Sequence, residues 1–441
     1  MFDLKTAGAL IEDDPDEAFR LCNEHLRTNP EDAGALFIVG VINARAERYS
    51  IALPVFKLCT EIAPAREEAW NNLGMCYQEC GKWQEARAAF KRAHEIKPKA
   101  SVLANLAVTY LTQADYSKAK ALCRKALEME PGHSGAWSTL GFACLATGEW
   151  EQGWAGYEHC LGGRFRKELS YGDEPRWDGK PVGDLIVYGE QGLGDELMYA
   201  SILPDAMQRA ERVTLECDGR LAGLFARSFP ALEVHGTRRG EAAWADGRSF
   251  DARCAIASLP HLFRPSPETC PRTPYLTADP ERRLQWRALF DSWGKKPVIG
   301  IAWSGGRPVT QSADRQVGLE AFRSLIERTD ARFVSLQYKD AQAEIDATGL
   351  PVRHLARAVQ SPDYDDTAAF VAELDYIVAP PTAVHHLAGA LGKPSTVLVP
   401  SRPMWNVAHG DRRAWYAEQP YHRQKPGESW ADCIRRLEMP L

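Results

Sequence analysis

Three short stretches in the second half of the chain combine residue types that bind anions and move protons. "EQGLGDEL" (190–197) follows the apolar run 185–188, "WSGGRPVT" (303–310) follows "VIGIA", and "APPTAVHHLAGALG" (379–392) follows "YIV". Each reads as a strand end, a turn and a helix start, where backbone N–H groups without helical partners can face an anion. In the first, Gly192 and Gly194 permit positive φ and close backbone approach. Asp195 takes an N-cap or first-turn position, and its plain role is a helix cap. In the third, Pro380 and Pro381 stiffen the strand exit, Thr382 is an N-cap, and the helix from Ala383 aims its N–H groups at a ligand such as a pyrophosphate. Of the adjacent His385 and His386, only one can face that ligand. "GEQGLG" departs from the dinucleotide fingerprint, and no acid is suitably placed about 20 residues beyond it, which argues against an oxidoreductase.

The elements that must hold these turns alternate. "LIVYGE", "VTLECD", "VIGIAW", "FVSLQY", "YIVAP" and "STVLVP" read as strands, and "DELMYASILPDAMQRA", "DGRLAGLFARSF", "LEAFRSLIERT", "DTAAFVAELD" and "AVHHLAGALG" as helices. Such alternation implies parallel sheets. There are two series, 184–290 and 295–441, so two doubly wound domains in tandem are expected with a ligand cleft at the carboxyl ends of their strands. "PERRLQWRALFDSWG" reads as a linker helix between them, "ESWADCIRRLEM" as a C-terminal helix returning to the first, and Asp365 and Asp366 as helix caps.

The first third has a different period. Pro30, Pro64, Pro98 and Pro131 are spaced 34, 34 and 33 residues apart. Within one period, Trp70, Leu73, Gly74 and Tyr77 share a face of a first helix, and Ala86, Phe90 and Ala93 a face of a second. Small Gly74 and Ala86 let the two helices approach. These positions resemble the tetratricopeptide repeat, so residues 1–163 are expected to form an α-superhelix, followed by a linker over 164–183. Its concave face offers Asn71, Asn72 and Asn105 as side-chain amides for an extended protein segment.

Composition sets the background. At 441 residues with net charge −6, the chain is too long for one core and has no basic field for nucleic acid. No apolar run approaches membrane-spanning length, the acidic start lacks a secretory pattern, and the eleven cysteines form no CxxC pair, all of which reads as a cytoplasmic protein with reduced thiols. No paired carboxylates of the DxD kind suggest a metal or other cofactor.

Residues 177–200 and 375–400, with "VIGIAWSGG" (298–306), "DR" (314–315) and "FVSLQYKD" (333–340) in order between them, resemble the bacterial tetratricopeptide-repeat glycosyltransferases related to the heptosyltransferases (glycosyltransferase family 9). The resemblance implies a GT-B fold: two Rossmann-like domains after the repeats, the second binding a nucleotide-sugar. It makes Asp195 the base that takes the acceptor hydroxyl's proton. It places Gly192, Gly194, Ser304, Gly305, Gln337, Tyr338, Thr382, Ala383 and His386 around the donor, with no metal. Relatives commonly carry an aspartate where this chain has Pro381. The expectation is an inverting transfer of sugar to a Ser or Thr hydroxyl of a protein, such as a flagellar or other surface protein, chosen by the repeats. The alternative is a non-catalytic repeat scaffold with a degenerate transferase part.

Overall fold

The computed structural model describes residues 3–163, 166–237, 242–270, 272–305, 315–408, 415–416 and 419–440. The chain divides into two compact units, Met1–Cys144 and Leu145–Leu441.

The first unit is helical throughout: α1 (Leu4–Asp13), α2 (Pro15–Leu26), α3 (Ala33–Arg45), α4 (Tyr49–Ile62), α5 (Glu67–Glu79), α6 (Trp83–Ile96), α7 (Ala100–Thr112), α8 (Tyr116–Met129) and most of α9 (Ser134–Thr147). The 34-residue period has a direct packing cause. A Cβ on Gly40 or Gly74 would come within 2.6 Å of the ring of Phe56 or Phe90, so each glycine is the seat for the aromatic ring of the next helix. Both rings are fully buried. Trp70 and Trp137 donate their indole N–H to the carbonyls of Pro64 and Pro131, at 3.0 and 2.8 Å, which ties each first helix to the end of the preceding repeat. The turns within repeats all pass through left-handed backbone, at Glu47, Gly81, Ala114 and Gly148 with φ of 56°, 72°, 59° and 85°. Only two of these positions hold glycine; the other two accept the strain of that conformation to keep the same turn.

The second unit begins at Leu145, ahead of the expected boundary at 163. Its first complete helix is α10 (Trp150–Glu158), the second helix of the last repeat by sequence. The reason is aromatic packing. Trp154 lies edge-on to Trp405 and Tyr199, with centroids 5.2 and 6.4 Å apart, and Trp150 stacks with Trp415 at 5.7 Å.

Two parallel sheets follow. The first has strands β1 (Val182–Tyr188), β2 (Ala210–Glu216), β3 (Glu233–His235) and β4 (Ala252–Ala255) in the order β3-β2-β1-β4. Leu185 stands between Val213 and Ala252. The second has β5 (Val298–Ile301), β6 (Arg332–Ser335), β7 (Val352–Arg353), β8 (Tyr376–Ala379), β9 (Ser395–Val399) and β10 (Tyr421–Arg423) in the order β10-β9-β8-β5-β6-β7. Both orders reverse direction beside their first strand, as in doubly wound sheets, so each has one switch point: β1/β4 and β5/β8. Every residue of β5, β8 and β9 is buried, which is why these strands read as continuous apolar runs rather than alternating ones.

Two sequence expectations are corrected here. The helix Pro280–Ser292 is part of the second sheet's cover, where Trp286 and Phe290 pack on Phe370 at 4.9 and 5.6 Å. The C-terminal helix Trp430–Arg435 packs on the second sheet's own core, with Ile434 and Leu437 in one cluster with Ile299 and Phe322, and does not return to the first sheet. Arg328 fixes it by donating to the carbonyl of Arg435 at 2.6 Å. All eleven cysteines are free, and among the described residues no helix is long and apolar enough to cross a membrane.

Candidate functional site

The strand-end turns singled out by sequence sit at the switch points. β1 runs into Gly189–Gly192 and then into α11 (Leu193–Tyr199). β5 runs into Ser304 and Gly305, and β8 into Pro380–Thr382 and the helix Ala383–Ala390. The two helix starts meet. A Cβ on Gly194 would lie 3.2 Å from both Ala383 Cα and His386 Cδ2. Gly194 is therefore needed for this close approach and not for its backbone angles. Neither it nor Gly192, which has φ −82°, occupies the positive-φ region that the sequence suggested. Gly305 has the same function on the other side, because a Cβ there would collide with Thr382 Cγ2.

Asp195 is the third residue of α11, and its Oδ2 accepts the Gly192 N–H at 3.1 Å. The carboxylate thus closes the first turn of its own helix. Burial is the main influence on its neighbours, raising the pKa of the Tyr157 and Tyr199 hydroxyls and lowering that of Arg315; the Asp195 charge adds to the first two and opposes the third. Arg315 is buried, and its Nη1 donates to the Pro381 carbonyl at 2.9 Å. Position 381 therefore presents a cation-bound carbonyl. Gln337 Nε2 donates to Ser304 Oγ at 2.6 Å, joining two of the expected donor residues across β5 and β6. Tyr338 is 54% exposed, with Lys339 Nζ over its ring 5.7 Å from the centroid.

The histidines divide their roles. His385 Nδ1 lies 3.0 Å from the Thr382 N and 2.8 Å from the Thr382 carbonyl oxygen, both at the start of the helix, so it is the structural one. Burial pushes its pKa down to about 4, keeping the ring neutral. His386, its ring beside that of His385, has Nδ1 3.1 Å from the Tyr416 hydroxyl, and burial holds it well below the usual histidine range. Tyr416 lies 3.3 Å from the Tyr275 hydroxyl, which donates to the Leu197 carbonyl of α11 at 2.7 Å. This chain of contacts ties α11 to the Ala383–Ala390 helix. Thr382 Oγ1 is buried with no hydrogen-bond partner among the described residues, a group that a ligand oxygen would satisfy.

Other expected residues fall elsewhere. Gly306 and Asp314, quoted in the motifs, lie outside the described residues. Asp363 caps the helix Tyr364–Glu373, in place of Asp365 or Asp366. Asp365 instead binds Arg227 through both oxygens, at 2.6 and 2.7 Å, joining the layers of the two sheets. In the repeats, Asn105 Nδ2 donates to Asn71 Oδ1 at 3.0 Å, whereas Asn72 spends its amide on the Glu68 carbonyl of its own helix. Asn71 and Asn105 form a pair; Asn72 is not part of it. Among the described residues no group of three His, Cys, Asp or Glu side chains could hold a metal.

Sequence reading missed a buried charge cluster directly under the first turn. Arg166 is fully buried and donates to Glu190 Oε1 at 3.0 Å, Glu158 Oε1 at 2.9 Å and Ser258 Oγ at 2.7 Å. Glu190 and Ser258 follow β1 and β4 within three residues, so Arg166 ties the ends of these two strands together. Its partners are 24, 8 and 92 residues away, so no local pattern signalled them.

Tetratricopeptide-repeat models match residues 66–130 and 110–153. The N-terminal region carries tetratricopeptide repeats. Over 433 residues the chain is 27% identical to Protein FlbA of Caulobacter vibrioides, covering 91% of this chain and 71% of that protein. Over 109 residues it is 27% identical to BBSome complex member BBS4 of Xenopus tropicalis, covering 24% of this chain and 21% of that one. A crystal structure of MamA aligns with 35% of this chain and 86% of its own, at 20% identity and a TM-score of 0.32.

Proposed function

We propose that the chain is a glycosyltransferase of GT-B type that moves a sugar from a nucleotide-sugar to a Ser or Thr hydroxyl of a protein held by its repeats. The repeats and the similarity to FlbA support the protein-binding half of this reading. The transfer half rests on one observation, the convergence of the Asp195 turn and the Ala383 helix start at Gly194.

In this reading the acceptor hydroxyl oxygen attacks the anomeric carbon and gives its proton to the Asp195 carboxylate. The bond from that carbon to the phosphate oxygen breaks, and its electron pair leaves with the nucleotide. Arg315 and the N–H groups at Ala383 and Val384 carry the counter-charge for the leaving phosphate, with no metal in the step. Ser304, Gly305, Gln337 and Thr382 shape the donor side, and Tyr338 offers its face to the base. Asn71 and Asn105 present a side-chain amide pair suited to a backbone N–H and C=O of the acceptor.

A second reading is a repeat scaffold without catalysis; the tetratricopeptide-repeat matches and the similarity to FlbA support it more directly than they support transfer, and Pro381 favours it too. Incubating the chain with a library of extended Ser/Thr peptides and a panel of nucleotide-sugars separates the two by mass spectrometry. Peptides gaining one sugar mass on a hydroxyl are the expected result. Peptides retained by the chain with no mass change would favour the scaffold.

A further inference from the structure

The repeat position held by Phe56, Phe90 and Cys123 recurs, after steps of 34, 33 and 34 residues, at Tyr157 of α10. Where the inner repeats have a bare apolar side chain, the last one adds a hydroxyl to a buried ring. Burying a hydroxyl is unfavourable unless it gains a partner. This one has a partner: Gln191 Nε2 donates to it at 2.6 Å. One residue earlier, Glu190 is gripped by Arg166, whose guanidinium also stacks over the Tyr157 ring at 4.7 Å and donates to the Tyr157 carbonyl at 3.2 Å. Both residues that lead from β1 into the Gly192–Asp195 turn are therefore held from the end of the repeat sequence.

We propose that Tyr157 and Arg166 are positioning residues that set Asp195 in place, so that α10 is a working part of the site in addition to ending the repeat pattern. This rests on the transferase reading for its consequence on rate, but the positioning itself has a separate readout. A turn supported at two consecutive residues has little freedom. Loss of either support lets the start of α11, and with it the carboxylate, shift relative to Ala383. A shift of about an ångström at a reacting group is enough to lower a rate by up to about 100-fold.

The test uses Tyr157→Phe, which keeps the ring and removes the hydroxyl, and Gln191→Ala, which removes the donor. Amide hydrogen exchange in the full chain should rise about tenfold across Gly192–Glu196 in each, the scale of one lost hydrogen bond. The double variant should rise no further than either single one. In the transfer assay kcat should fall about tenfold or more with the donor KM unchanged. Additive effects of the two substitutions, or exchange at Gly192–Glu196 equal to wild type in both, would overturn the proposal. Arg166→Lys keeps the charge but loses the fork, and should raise exchange in the same segment; no change there would also count against it. If wild type transfers no sugar to any peptide, the transferase reading fails while the exchange result still decides whether the turn is positioned from α10.

Discussion

Asp195→Asn is expected to lower sugar transfer by about 10²- to 10⁴-fold, the usual contribution of a positioned general base, while donor binding stays as in wild type. The substitution is unusually clean here. Asp195 Oδ2 closes the first turn of α11 by accepting the Gly192 N–H at 3.1 Å, and an asparagine oxygen can accept the same bond. The helix start should therefore persist and only the proton acceptor be lost. Transfer rate and donor-induced thermal stabilisation, measured side by side, check this. A variant with wild-type rate would remove Asp195 from the mechanism, and one that loses donor binding as well would make it a structural residue.

The second large effect is expected in acid. His385 is buried with its pKa lowered to about 4, against an ordinary value near 6.5, because burial disfavours the charged ring. A native pKa below the unfolded one means that the unfolded chain binds the extra proton between pH 6.5 and 4. Stability from this group is thus complete above about pH 6.5 and is lost as pH falls toward 4, by about 3 kcal/mol in total. His386, held low for the same reason and 3.8 Å from His385 between ring centroids, acts in the same direction, and the charge of Arg315 adds to both. His385→Gln retains an acceptor for the cap and cannot titrate. Hydrogen exchange of the helix Ala383–Ala390 from pH 7.5 to 4 should show wild type loosening more steeply than the variant. Identical pH profiles would show that His385 is not the sensitive group.

What could be read from sequence, and what could not, follows the range of the interactions. The repeat was legible because Gly74 and Phe90, or Trp70 and Pro64, meet within one period and recur in the next. The central strands were legible because β1, β5, β6, β8 and β9 carry the apolar runs that burial requires. β3, β7 and β10 have two or three residues each and too little pattern to register. The site was legible in part. Strand, glycine turn and helix start located Asp195, Ser304, Gly305 and Thr382, since those signals are local. The contact of His386 depended on Tyr416, 30 residues on, and the Arg166 cluster depended on partners from three segments. The signal for Tyr157 was present as one tyrosine among buried apolar residues at its repeat position, but its meaning required knowing that Gln191 lies above it.

The central claim is that the strand-end turns around Asp195, Ser304 and Thr382 take a nucleotide-sugar. Thermal unfolding of the chain with UDP-, GDP-, ADP- and CMP-linked sugars tests it most directly, beside Thr382→Val, which keeps the side chain's shape and removes its unpartnered hydroxyl. A ligand at 100 times its dissociation constant adds about 2.7 kcal/mol to the state that binds it. One nucleotide class should raise the unfolding temperature of wild type and raise that of Thr382→Val less. Stabilisation by none of the four, or equal stabilisation of wild type and Thr382→Val, would contradict the account.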